Sequence, residues 1–218
     1  MEIINRLDGA IRGRNNYRPK DRQFLAQNGN CIIRSISVYR KPVQSFIKPI
    51  LDALSLGQFS SLLKQQGYDK LFHLYMCVAY ITPSNAVSKI KLEKNEVISI
   101  SPWQPSDEDA EHIEIYLNLN NPITISQLLS NTQALMGSKF FPYSAFNNNC
   151  QNFVLSILEA NKLSSESAKK FIYQDMTNIN QHLDTRTKAI ANGTTNLASR
   201  IDVLLNGKGL KRKRIKSK

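Results

Sequence analysis

The sequence predicts an α+β fold, an antiparallel sheet with helices packed against it. Three features of the chain point there. Stretches rich in β-branched and aromatic residues recur at 31–40, 70–81 and 113–117. A short polar break around Lys94 and Asn95 separates two strand-like runs, as in a hairpin. Apolar residues return at helical spacing at 43–56, 126–136 and 153–161.

Residues 1–30 mix Arg, Asn, Gly and Pro without periodicity, so a loosely ordered basic arm is expected. From Ile33 the chain alternates and reads as a strand to Arg40. After Pro42, Val43, Phe46, Ile47, Ile50, Leu51 and Leu54 fit a helix that Pro49 kinks or breaks, with a short helix at 59–65. The run 70–81 is apolar almost throughout, the pattern of a strand covered on both faces. Residues 82–85 form a turn, and 89–92 with 96–101 a hairpin. An acidic loop, 107–111, leads to an alternating strand at 113–117. Thr124 or Ser126 caps a helix to about Met136, stopped by Gly137. A helix beginning near Cys150 buries Phe153, Val154, Ile157 and Leu158 and ends near Asn161. Polar helices are expected at 164–183 and 185–205. The division is therefore an arm at 1–30, a domain at 31–162, a helical extension at 163–206 and a disordered basic tail at 207–218.

With 218 residues, 41% apolar and 21% charged, the chain can bury one full core. No apolar run approaches the ~20 residues that span a bilayer, and the opening lacks the apolar stretch of a secretory signal. Cysteines at 31, 77 and 150 make neither a disulfide framework nor a metal-ligand cluster. A reducing compartment is expected, and nothing calls for a cofactor. The net charge of +12 resides at the ends: seven positive side chains and no acid lie in 208–218, and residues 1–22 add +3. The body is near neutral, unlike a domain that reads nucleic acid with its folded surface.

Cys150 follows Asn147, Asn148 and Asn149 and precedes Gln151, with the apolar stripe beginning only at Phe153. That places the thiol at the mouth of a helix, where the helix dipole favours a thiolate. A small buried apolar cysteine is the competing interpretation. His73 interrupts the most apolar strand, and a buried imidazole needs a partner; a facing thiolate or a backbone carbonyl would serve. Cys77 lies four residues along the same strand face, roughly 13 Å from His73 and out of its reach. Cys31 reads as structural, and His112 and His182 as solvated.

His73 on a core strand, followed by Asn149-Cys150-Gln151-Asn152-Phe153 opening a helix, resembles the circularly permuted branch of the papain-like hydrolases. That branch holds the lecithin–retinol acyltransferase, PPPDE and "H-box/NC" types, all related to NlpC-type peptidases. The likeness covers about 31–162. The segments 68–75 and 92–96 are also similar to members of this group from DNA viruses and mobile elements. The resemblance implies a permuted papain-like domain with Cys150 as nucleophile, His73 as base and a polar residue on the next strand orienting the imidazole. Glu93 is the first choice for that third residue and Asn95 the second. The acyltransferase type carries a histidine there, and none occurs between 74 and 111, which points away from a lipid acyltransferase.

The expected function is therefore a cysteine hydrolase or acyltransferase acting on an amide, ester or thioester of a protein or lipid substrate. The alternative is a non-catalytic viral or mobile-element protein that keeps the fold for binding or structure. In either case the tail (Lys208, Lys211, Arg212, Lys213, Arg214, Lys216 and Lys218) reads as a nuclear-localisation signal or an arm for nucleic acid or anionic membrane. A nuclear or virion-associated location follows from it.

Overall fold

A computed structural model describes residues 16–42, 72–95, 97–108, 110–144 and 147–174. The described elements are α1 (Pro19–Asn28), β1 (Ile33–Pro42), β2 (Phe72–Ile81), β3 (Val87–Lys94), β4 (Ile98–Pro102), β5 (Glu111–Ile115), α2 (Ile125–Met136), α3 (Cys150–Ala160) and α4 (Glu166–Ile172). Short 3-10 turns cover Pro105–Asp107 and Gly137–Lys139. The fold is α+β: five antiparallel strands in the order β4-β3-β2-β1-β5, with four α-helices. The helices expected at 43–56, 59–65 and 185–205, residues 175–183 of the one at 164–183, His182 and the basic tail fall outside the described residues.

Alternation decides which face of the sheet each side chain meets. Ile36 and Val38 of β1, Leu74, Met76 and Val78 of β2, Ile90 and Leu92 of β3, and Ile98 and Ile100 of β4 share one buried face. Against it pack Leu128 and Leu129 of α2, Phe153, Val154, Ile157 and Leu158 of α3, and Ala168 and Ile172 of α4. Each Val, Leu, Ile, Met or Phe side chain so buried stabilises the fold by about 1.5–3 kcal/mol. The second face carries Tyr39, Tyr75 and Cys77 beneath Trp103, so β2 is covered on both sides. Cys31 joins the main core.

Two stretches differ from their sequence patterns. The lead-in expected to be loosely ordered contains α1, a polar helix with Pro at its start and no apolar stripe. A buried carboxylate anchors it, and Phe24 and Leu25 pack beside it against the main core. Asp21 is fully buried, accepts the Ile100 N–H of edge strand β4 at 3.0 Å and pairs with Arg18 at 2.6 Å. Gly29 then lets the chain turn into β1, because a Cβ there would run into the Leu25 carbonyl and the Ser126 hydroxyl. In the stretch expected as an acidic loop, Asp107 is buried and anchored, accepting from the Gln104 N–H at 3.1 Å and pairing with Lys91 at 3.1 Å. The strand expected at 113–117 lies at Glu111–Ile115, and Tyr116 is exposed. Among the described residues no helix is long and apolar enough to cross a membrane.

Replacing Asp21 by Ala strands the Ile100 N–H and removes the carboxylate from Arg18, which keeps its hydrogen bond to the Ser99 hydroxyl. Because Arg18 keeps some contact with water, the expected cost is about 2–3 kcal/mol rather than that of a fully buried ion pair. Urea unfolding of the wild type and Asp21→Ala measures it, and a change below about 0.5 kcal/mol would mean that α1 is not anchored this way.

Candidate active site

Asn149 sets the position of Cys150. Its side-chain oxygen accepts the N–H groups of Gln151 at 3.0 Å and Asn152 at 3.2 Å, while the Asn152 side chain accepts the Asn149 N–H at 3.2 Å. This reciprocal cap makes Cys150 the first residue of α3. The thiol is buried, at the positive end of the helix dipole.

His73 lies near the start of β2, paired with Lys41 of β1. The pairing of β2 with β3 begins at Tyr75↔Glu93, so Glu93 sits diagonally across from His73 on the same face. Glu93 Oε2 is 3.0 Å from His73 Nε2. That contact leaves Nδ1 as the nitrogen able to take a thiol proton. His73 is hydrogen-bonded to Cys150, and the backbone N–H groups of Leu74 and Gln151 also point at the sulfur. Because β3 pairs no further than Tyr75, the Leu74 N–H is spent on Cys150 where the ladder ends.

The electrostatics follow from these contacts. Burial raises the Cys150 thiol pKa, but the His73 hydrogen bond and charge and the two backbone N–H groups bring it below its ordinary 9.0. Burial pushes His73 down, yet hydrogen bonds to Cys150 and Glu93 and their negative charges hold it up at about 10 against an ordinary 6.5. Burial likewise opposes ionisation of Glu93, and the His73 hydrogen bond and charge, with Lys91 and Arg18, bring it down to about 2. Each shift favours the charged form of its group: thiolate for Cys150, imidazolium for His73 and carboxylate for Glu93. Glu93 stabilises the fold fully above its unfolded 4.5, and that contribution fades as pH falls toward about 2. The His73 contribution is complete below 6.5 and fades as pH rises toward about 10.

The other sequence candidates lie apart from this contact. Asn95 sits beyond the end of β3, where its N–H bonds the Val97 carbonyl at 3.1 Å. Cys77 is buried on the second sheet face, and burial pushes its thiol up to about 11. His112 is half-exposed and stacks on Tyr39. Among the described residues no group of three His, Cys, Asp or Glu side chains is placed to hold a metal ion.

The structure adds residues that sequence patterns did not single out. Lys94 is fully buried, and its ammonium donates to the Lys139 carbonyl at 2.9 Å and to Asn148 Oδ1 at 3.4 Å. Asn148 Nδ2 donates to the same carbonyl at 2.7 Å and to that of Pro142 at 2.6 Å. Lys94 thereby ties β3 to the loop that delivers Asn149 and Cys150, and burial lowers its pKa to about 8. Tyr143 of the same loop is half-buried, and burial, with the negative charge of Cys150, keeps its phenol protonated well above 10. The sequence marks this loop only by its aromatic residues, Phe140, Phe141 and Tyr143.

No protein-family model, curated protein or solved structure matches this chain.

Alkylation by iodoacetamide, mapped to individual cysteines, tests the site. Cys150 should react with an apparent pKa below the ordinary ~8.5 of a free thiol, while Cys77, whose thiol is held up at about 11, reacts slowly. His73→Ala should return Cys150 to or above the ordinary value, and Glu93→Gln should move it part of the way. An ordinary Cys150 profile that His73→Ala leaves unchanged would rule out the ion pair.

Proposed function

We propose that this chain is a cysteine-dependent hydrolase or acyl-transferring enzyme, built as a permuted papain-like domain in which the histidine strand precedes the nucleophile helix. The observation carrying the reading is the hydrogen bond between Cys150 and His73, with Glu93 3.0 Å from the far side of the same imidazole. Nucleophile, base and orienting carboxylate then occur in the chain order His73, Glu93, Cys150. An ordinary buried cysteine needs none of these partners, and Cys77 has none of them.

The chemistry follows. The Cys150 thiolate attacks the carbonyl carbon of an amide, ester or thioester, and the carbonyl electron pair moves onto oxygen. The N–H of Cys150, in the first turn of α3 and without an intrahelical acceptor, is placed to hydrogen-bond that oxyanion. The imidazolium of His73 gives its proton to the leaving amine, alcohol or thiol as the bond breaks, leaving an acyl-thioester on Cys150. Neutral His73 next takes a proton from water or another acceptor, which attacks the thioester and releases the acyl group. Glu93 holds the imidazole in orientation and offsets its positive charge.

The substrate is a protein or lipid acyl group. A panel of a peptide amide, a ubiquitin-like conjugate and a phospholipid, read by product release and by the mass of an acyl adduct on Cys150, tests the reading. The active class should lose at least about 10³-fold in rate with Cys150→Ala and about 10²-fold or more with His73→Ala. Turnover indifferent to Cys150→Ala would defeat it.

The charge distribution favours a second role carried by the tail. Its seven positive side chains fall in 208–218, beyond a nearly neutral body. As a polyanion-binding arm or nuclear address, the tail fits a viral or mobile-element protein, whether that protein is catalytic or keeps the domain only as a binding module. Deleting 208–218 should leave the thermal midpoint and Cys150 alkylation unchanged. It should also reduce the salt slope of DNA or RNA binding by roughly 5. Loss of nuclear accumulation without a change in polyanion binding identifies an address. Preferential loss of binding to anionic vesicles identifies a membrane arm. Unfolding of the body on deletion would overturn the modular picture.

A further inference from the structure

We infer that Gln174 is a positioning residue that holds the nucleophile strand-to-helix contact closed, by linking the residue before His73 to the residue after Cys150. The inference rests on the reading of Cys150 and His73 as a reactive pair. Its basis is two hydrogen bonds made by a single residue. The Phe72 N–H donates to Gln174 Oε1 at 3.1 Å, and the Gln174 N–H donates to Gln151 Oε1 at 2.9 Å. Phe72 is covalently next to His73 and Gln151 next to Cys150, so the link closes a ring through both reactive side chains.

The position of Gln174 is fixed from behind. α4 is capped by Ser165 and buries Ala168 and Ile172 in the main core. Its last helical bond, from the Tyr173 N–H to the Lys169 carbonyl at 2.9 Å, ends one residue before Gln174. Arg40 of β1 clamps the same corner. Its guanidinium lies 4.7 Å from the centroid of the Phe72 ring and 4.4 Å from that of Phe171, and donates to the Phe171 carbonyl at 3.2 Å. Gln151 is buried although it is polar and sits at a helix mouth, and the bond to Gln174 satisfies its carbonyl there.

The link matters because it ties β2 directly to the start of α3, on the side opposite the tie that Lys94 makes from β3 to the loop before Cys150. β3 has left the ladder, and the Leu74 N–H is committed to the sulfur. Hydrogen bonding between a thiolate and an imidazolium depends steeply on distance, and a displacement of about 1 Å at a reacting centre can cost up to 10²-fold in rate. α4 therefore belongs to the reactive unit, although its sequence reads as part of an extension beyond it.

The test is the pH profile of Cys150 alkylation in the full chain, alongside the thermal midpoint. Gln174→Met keeps length and removes the acceptor for the Phe72 N–H. Gln151→Met removes the acceptor for the Gln174 N–H. Each should raise the apparent thiol pKa by about one unit and slow alkylation at pH 7 by up to about tenfold. The pair together should do no more than the more severe single change, since either one opens the ring. A role limited to stability would lower the midpoint and leave the pH profile of the folded protein where it was, which would overturn the inference. A shift with Gln151→Met but not with Gln174→Met would also overturn it, assigning the effect to the neighbour of Cys150 alone. If one variant does not fold, the other decides by the same criterion. An ordinary thiol profile in the wild type would instead defeat the reading of the pair, a result distinct from a perturbed wild type that the glutamine changes leave alone.

Discussion

The register between β2 and β3 governs the site. Glu93 reaches His73 because Tyr75 stands opposite Glu93 in the ladder, which puts the imidazole on the diagonal. A slip of one residue would turn Glu93 into the core and Lys94 or Leu92 toward the histidine. What prevents the slip is the burial of Leu74, Met76, Val78, Ile90 and Leu92 on one face, since a slipped strand would send its apolar side chains to the other. The hydrophobic core thus specifies a polar contact in which it takes no part.

The same strand serves the second half of the site. Successive residues of a strand point to opposite faces, so Glu93 holds the histidine while Lys94 reaches through the core side to the loop before Cys150. Burying an ammonium without a carboxylate is costly, and the lowered pKa of Lys94 expresses that cost. Two oxygen acceptors, the Lys139 carbonyl and the Asn148 side chain, offset part of it. In exchange, the loop that ends in the Asn149 cap is tied to the strand that orients His73. Base and nucleophile are held by adjacent residues of one rigid element rather than by two independent loops.

What the sequence disclosed follows the range of the interactions involved. The cap at Asn149 and the mouth position of Cys150 are encoded within four residues, and the core strand around His73 is visible as an apolar run. Glu93 could be ranked above Asn95 because it lay on the strand rather than in the turn. Helix α1 was illegible because it has no apolar stripe; Asp21 holds it through a backbone group about eighty residues away in sequence. Asp107 read only as part of an acidic loop for the same reason, since its partner Lys91 lies on β3, outside that loop. Gln174 is the extreme case. Both of its partners are distant in sequence, and neither a glutamine nor the end of a polar helix carries a pattern that would announce the link.

The three cysteines show why residue type alone could not have located the chemistry. All are buried, and burial by itself raises the pKa of a thiol. Cys77 follows that rule, although it shares a strand and a face with His73, because the rise along the strand puts it out of reach of the imidazole. Cys150 breaks the rule because an imidazole, two backbone N–H groups and a helix terminus converge on its sulfur. No single one of these needs to outweigh desolvation, because they act together on the same atom. Convergence of this kind requires that β2, β3, α3 and the corner beyond α4 be placed together, and so the reactivity of one sulfur depends on most of the fold.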